Sequence, residues 1–125
     1  MSYPFITYKN QVTQIGGTKE LILGEDVPLI LDGLWLLNVG DDRAEVTVDL
    51  LTERSGTIAN TMLIKRYPLA SYAKDDILRG SMMYLEAGDT LHGWTEFSGS
   101  TVQIIISYRQ LHNQREVIYD YAKRN

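Results

Sequence analysis

The chain has 125 residues, a formal charge of −4, no cysteine and 44% hydrophobic residues. That length makes one ordinary domain, able to bury about two thirds of the surface its unfolded chain exposes and to stand without covalent staples. The lack of cysteine excludes disulfides and thiolate metal sites and favours folding in a cytoplasm, while the mild acidity argues against nucleic-acid binding, which concentrates Lys and Arg on one face.

Residues 1–17 read as an N-terminal arm that mixes Tyr3, Phe5 and Tyr8 with polar residues and ends in the joint Gly16-Gly17. Lys19 to Leu23 is a short strand. Leu29 to Val39 is a long apolar strand whose Asp32-Gly33 predicts a bulge or a kink, because glycine inside a strand weakens pairing and permits a bend. Trp35 is expected in the core, since a large indole on a central strand is usually packing. Gly40 to Arg43 reads as a hairpin connection. Ala44 to Leu50 then alternates, with Ala44, Val46, Val48 and Leu50 on one face and Glu45, Thr47 and Asp49 on a face expected in water. Ser55-Gly56 turns the chain into Thr57 to Lys65. Pro68 places the following segment at a sheet edge, and Lys74-Asp75-Asp76 reads as a polar turn.

Ile77 to Tyr108 holds three strand signals and two turn signals. One apolar run closes at Tyr84-Leu85, Glu86 to Asp89 is a turn with a glycine free to take positive φ, and Thr90 to Trp94 returns. After Ser98-Gly99-Ser100, Thr101 to Tyr108 carries Val102, Ile104, Ile105 and Ile106, the composition of a strand near the centre of a sheet. Seven to eight short strands with frequent turns predict an all-β fold, an antiparallel β-sandwich of Ig-like or jelly-roll-like type over residues 18–112. Residues 113–125 read as a C-terminal arm that orders on a partner. Val117, Ile118 and Tyr121 fall there at helical spacing, over a length too short for an independent helix.

The arms hold four of the eight tyrosines, and tyrosine is favoured at interfaces because its ring is apolar and its tip polar. Residues 1–108 carry eight Lys/Arg against fourteen Asp/Glu, whereas 109–125 carry four against two, so a basic tail could lie on the acidic body of another copy. The expected partner-interface residues are Tyr3, Phe5, Tyr8, Arg115, Val117, Ile118, Tyr119 and Tyr121. No run approaches the ~18 apolar residues of a membrane span, and no signal peptide is expected in the first ten residues.

No catalytic, metal or cofactor site is expected. His92 and His112 lie on different strands without a third ligand, and His92 reads as a half-exposed strand residue. Asp41-Asp42 and Asp75-Asp76 lack the alternating oxygen ligands of a calcium loop. Glu86 and Glu96 form a carboxylate pair of the kind any acidic β protein offers. Trp94 and nearby tyrosines could stack on sugars, which leaves a carbohydrate-binding module on a phage or bacterial surface as the alternative function.

The segments Tyr67 to Tyr72, Asp76 to Leu91 and Val102 to Leu111 resemble a class of small virion structural proteins of tailed bacteriophages. The matching features are Leu78-Arg79-Gly80, the Leu-Glu-Ala-Gly-Asp turn at 85–89, and a last strand ending in Tyr108 and Leu111. Leu34 to Gly40, followed by the alternating strand from Ala44, is similar to an upstream part of the same pattern. The resemblance implies a non-enzymatic head-decoration or neck/collar accessory protein that forms homo-oligomers and contacts capsid, portal or connector proteins. It further implies a place in the virion, after assembly in the cytoplasm of a bacterial host.

Overall fold

The computed structural model describes residues 5–96 and 101–112. They form nine strands: β1 Phe5–Ile15, β2 Glu20–Gly24, β3 Leu29–Asn38, β4 Ala44–Arg54, β5 Thr57–Leu69, β6 Lys74–Asp76, β7 Met83–Leu85, β8 Thr90–Thr95 and β9 Val102–His112. One antiparallel sheet has the order β1-β9-β3-β6, with β7 also on β3, and the other runs β2-β8-β4-β5. β6 and β7 pair with separate stretches of the same strand and act as one interrupted strand. Counted so, the chain makes four nested pairs, β1 with β9, β2 with β8, β3 with β6/β7, and β4 with β5, placed in alternate sheets. An eight-strand ribbon folded over on itself in this way is a jelly roll. The topology therefore decides between the two sandwich types left open by the sequence.

The core is the layer between the sheets. Leu29, Leu31, Leu34 and Leu36 of β3 and Val102, Ile104 and Ile106 of β9 face Ile22, Val46, Val48 and Leu91, all 0–1% exposed. Two glycines set local geometry. A Cβ on Gly93 would lie 2.6 Å from Ile22 Cδ1 and 2.8 Å from Ile104 Cδ1, so β8 passes the opposite sheet at a point where only a hydrogen fits. At Gly33 the Trp35 ring occupies the place of a side chain, 2.0 Å from an ideal Cβ.

Of the bulge or kink expected at Asp32-Gly33, the bulge is present, as a register shift between Leu31 and Gly33. Its consequence overturns the expectation for Trp35. One extra residue inverts the parity of the strand, because successive side chains alternate between faces. Leu34 and Leu36 point inward, Trp35 lies half-buried on the outer face with Lys74 Nζ 6.0 Å from its ring, and Asn38 enters the interior. Asn38 is fully satisfied there: Nδ2 donates to the carbonyls of Asp42 (2.7 Å) and Leu69 (3.2 Å), and Oδ1 accepts from Gly40 N (2.9 Å).

Other expectations also change. Residues 5–15, assigned to the N-terminal arm, form edge strand β1 and pair along their whole length with β9. Lys74–Asp76 is strand β6 rather than a turn. Gly40 to Arg43 carries the chain from one sheet to the other rather than closing a hairpin, and β7 and β8, like β8 and β9, lie in different sheets. The turn foreseen at Ser55-Gly56 does form and closes the β4–β5 hairpin; φ of 53° and 80° at these residues match a type I′ turn.

Candidate interaction surfaces

The outer face of the β2-β8-β4-β5 sheet carries an unexpected polar cluster. Asp49 and Thr47, assigned by alternation to a water-facing side, are 0% and 1% exposed. They are opposed across the ladder by His92 and Trp94 respectively, and those larger side chains help to cover them. Asp49 Oδ2 accepts from Lys19 Nζ at 2.9 Å, while Oδ1 makes no hydrogen bond and lies 3.8 Å from His92 Nδ1, which makes none either. Thr47 Oγ1 donates to Glu96 Oε1 (2.9 Å) and accepts from Arg66 N (3.0 Å). His92 is half-buried, as the sequence suggested. Lys19 Nζ also sits 5.2 Å from the Trp94 ring centroid, so an ammonium occupies one face of the indole that a sugar would stack on.

A second cluster ties the β4–β5 ribbon to the body. Arg54, beside the ribbon tip, forks onto Asp89 at 2.7 and 2.9 Å and reaches Glu86 at 2.9 Å. Asp89 Oδ2 also accepts from Glu86 N, closing the turn whose Gly88 has φ 88°. The hydrogen bonds from Arg54 hold the Asp89 carboxyl below the usual carboxylate range, against the opposing effect of burial. The same end of the sandwich holds Glu25, which accepts from Tyr108 Oη and Gln110 Nε2, each at 2.8 Å. Burial, then the hydrogen bond to Glu25, pushes the Tyr108 phenol up to about 12.

The third feature is the rim. β1 and β5 each have a strand on one side only among the described residues. On β1, Ile6, Tyr8 and Val12 point away from the core, whereas Gln11 faces inward and donates to Ile22 O at 3.0 Å. On β5, every residue from Thr57 to Met62 is exposed, and so are Glu53 to Gly56 at the ribbon tip.

Of the interface residues read from the sequence, Tyr8 is 74% exposed on β1 and Phe5 opens that strand. Tyr3, Arg115, Val117, Ile118, Tyr119 and Tyr121 lie outside the described residues, as does the whole segment 113–125. The acidic pairs are engaged within the fold: Tyr72 Oη donates to Asp41, and Tyr67 Oη to Asp75. Among the described residues no three His, Cys, Asp or Glu converge to hold a metal. Glu86 and Glu96 flank β8 at opposite ends, about 20 Å apart along six residues, which is wider than a glycosidase pair. Sequence reading missed the Lys19–Asp49–His92 and Arg54–Asp89–Glu86 groups because each joins residues far apart in the chain.

No protein-family model and no curated protein matches the chain. Several solved structures are similar at low identity. A protein of Bacillus endospore appendages, described as a family of disulfide-linked pili, is 9% identical with a TM-score of 0.45, over 89% of this chain and 92% of that one. A chain of infectious bursal disease virus, Gx strain, is 11% identical with a TM-score of 0.47, over 87% of this chain and 32% of that one. The Gt strain gives 10% and 0.44, over 86% and 33%. This chain thus spans about a third of each virus chain.

Proposed function

We propose that the chain is a non-enzymatic structural part of a tailed-phage virion, a head-decoration or neck/collar accessory protein that works by assembling with copies of itself and with capsid, portal or connector proteins. The observation that carries this reading is the contrast between a packed double sheet and its two open rims, β1 and the Thr57 to Ile64 stretch of β5. β1 has one charged residue, Lys9, in eleven, and β5 has none from Thr57 to Ile64. Monomeric β proteins usually blunt such edges with charge, proline or short strands, because unpaired N–H and C=O groups invite another strand. Chains that function as monomers have reason to hide these groups, and chains that function in lattices or rings have reason to keep them.

The aromatic terminal residues fit the same purpose. Tyr8 stands out from β1; Phe5, Val117 and Ile118 supply apolar surface, and Tyr3, Tyr119, Tyr121 and Arg115 add polar tips, for neighbouring subunits. Removal of residues 113–125 is expected to leave a folded jelly roll that no longer assembles fully. Mass spectrometry of particles purified from the source is expected to find this chain in many copies per particle. Absence from the particles would end the virion assignment, and full assembly by the truncated chain would end the role of the tail.

A further inference from the structure

We infer that β5 is a two-fold interface, on which a second copy of this chain adds its own β5 antiparallel, with Asn60 opposite Asn60. The inference builds on the reading of the protein as self-assembling and names one surface that does it.

The two halves of β5 differ. From Lys65 onward the strand is guarded: Arg66 has a φ of 51°, Pro68 lacks an N–H, and the pairing with β4 slips twice between Met62 and Tyr67. From Thr57 to Met62 the ladder on β4 is regular, and every residue is exposed. Ile58, Asn60 and Met62 share one face of this half because side chains alternate. Ile58 is 67% exposed and Met62 47%.

This pattern is its own complement. In an antiparallel pair centred on Asn60, Ile58 of each copy meets Met62 of the other on one face, while Ala59 meets Thr61 on the opposite face. The two Asn60 amides, each a donor and an acceptor, meet at the axis. Lys65 falls opposite Ser55 of the other copy, and beyond it Arg66 falls opposite Arg54, two guanidiniums already paired within their own subunit to Glu45 and Asp89. No like charges oppose one another between residues 57 and 63. β1 lacks this property, since two-fold pairing near its midpoint brings the two Lys9 ammoniums close together, an unfavourable arrangement in a ladder. Pairing joins β2-β8-β4-β5 of both copies into one eight-stranded sheet, and an isologous contact closes as a dimer that larger assemblies can use as a unit.

The chain has no cysteine, so engineered ones report the register directly. Mild oxidation of full-length Asn60→Cys is expected to give disulfide-linked dimers in high yield, because directly opposed residues meet disulfide geometry. Ile58→Cys and Met62→Cys alone are expected to give little, since each is about 13 Å from its own copy. The double variant Ile58→Cys/Met62→Cys is expected to link well. Met62→Lys, at an exposed site that leaves the fold intact, is expected to abolish the dimer in sedimentation. Equal linking of all single cysteines, or a dimer that survives Met62→Lys, overturns the β5 interface and leaves self-assembly standing. A wild-type chain that stays monomeric at every concentration overturns both.

Discussion

β8 and β5 belong to one sheet and face opposite constraints. β8 runs between β2 and β4, its inward residues Leu91, Gly93 and Thr95 are at most 1% exposed or leave no space for a side chain, and each backbone edge has a neighbour. β5 borders the sheet, and among the described residues it pairs with β4 alone. The same β-forming composition therefore does two jobs. In β8 and its facing strands it fills a closed layer, where shape decides stability. In the first half of β5, Thr57 to Met62, it offers backbone and apolar side chains exposed to solvent. Changes in the first region should register as unfolding, and changes in the second as altered association.

The sharpest test on the closed side is Ile104→Ala, which removes a fully buried side chain from the layer facing Gly93. A loss of about 2–5 kcal/mol is expected in denaturant unfolding, with association lost only because the fold is. Gly93→Ala reverses the perturbation by adding one carbon where Ile22 and Ile104 already stand. Overpacking is expected to cost about 1–3 kcal/mol, and pairing it with Ile104→Val should recover part of that loss, since the Cδ1 in the way is then gone.

Titration separates the regions further. Asp89 has a depressed pKa in the folded state, so its contribution is complete above the ordinary carboxylate pKa near about 4 and is lost as pH falls through the folded value. Asp89→Asn should flatten that acid limb of the stability profile. Tyr108 works at the other end. Its pKa is raised to about 12, so above pH ~10 the unfolded chain releases this proton more readily and stability falls until about 12. Tyr108→Phe should remove that decline. The smallest effect on stability belongs to β5: Ile58→Ser should change unfolding by no more than about 0.5 kcal/mol, while weakening self-association measurably.

How much of this could be read from the sequence follows from the range of the interactions involved. Most strand positions other than β1 and β6, the Ser55-Gly56 turn, the turn at Glu86 to Asp89 and the interruption at Asp32-Gly33 all rest on neighbours a few residues apart. An interruption at Asp32-Gly33, bulge or kink, was foreseen and its effect on Trp35 was not, because parity beyond a bulge depends on which residue is extra. Turn chemistry at Gly40 to Arg43 marked a reversal and could not say that the chain changed sheets there. The strand character of residues 5–15 was hidden by their polarity: an edge strand needs few buried side chains, and β1 buries only Ile15 among its described ones. The polar groups around Asp49 and Asp89 join residues thirty or more positions apart, as Lys19 to Asp49 and Arg54 to Asp89 do, so no local spacing announces them.

The central claim is that this jelly roll acts by binding its own kind. Sedimentation velocity of the full-length chain across a concentration series tests it most directly. The account expects a multimer, reduced to smaller species by Met62→Lys without loss of the β-rich fold. A single monomeric boundary at all concentrations would contradict it.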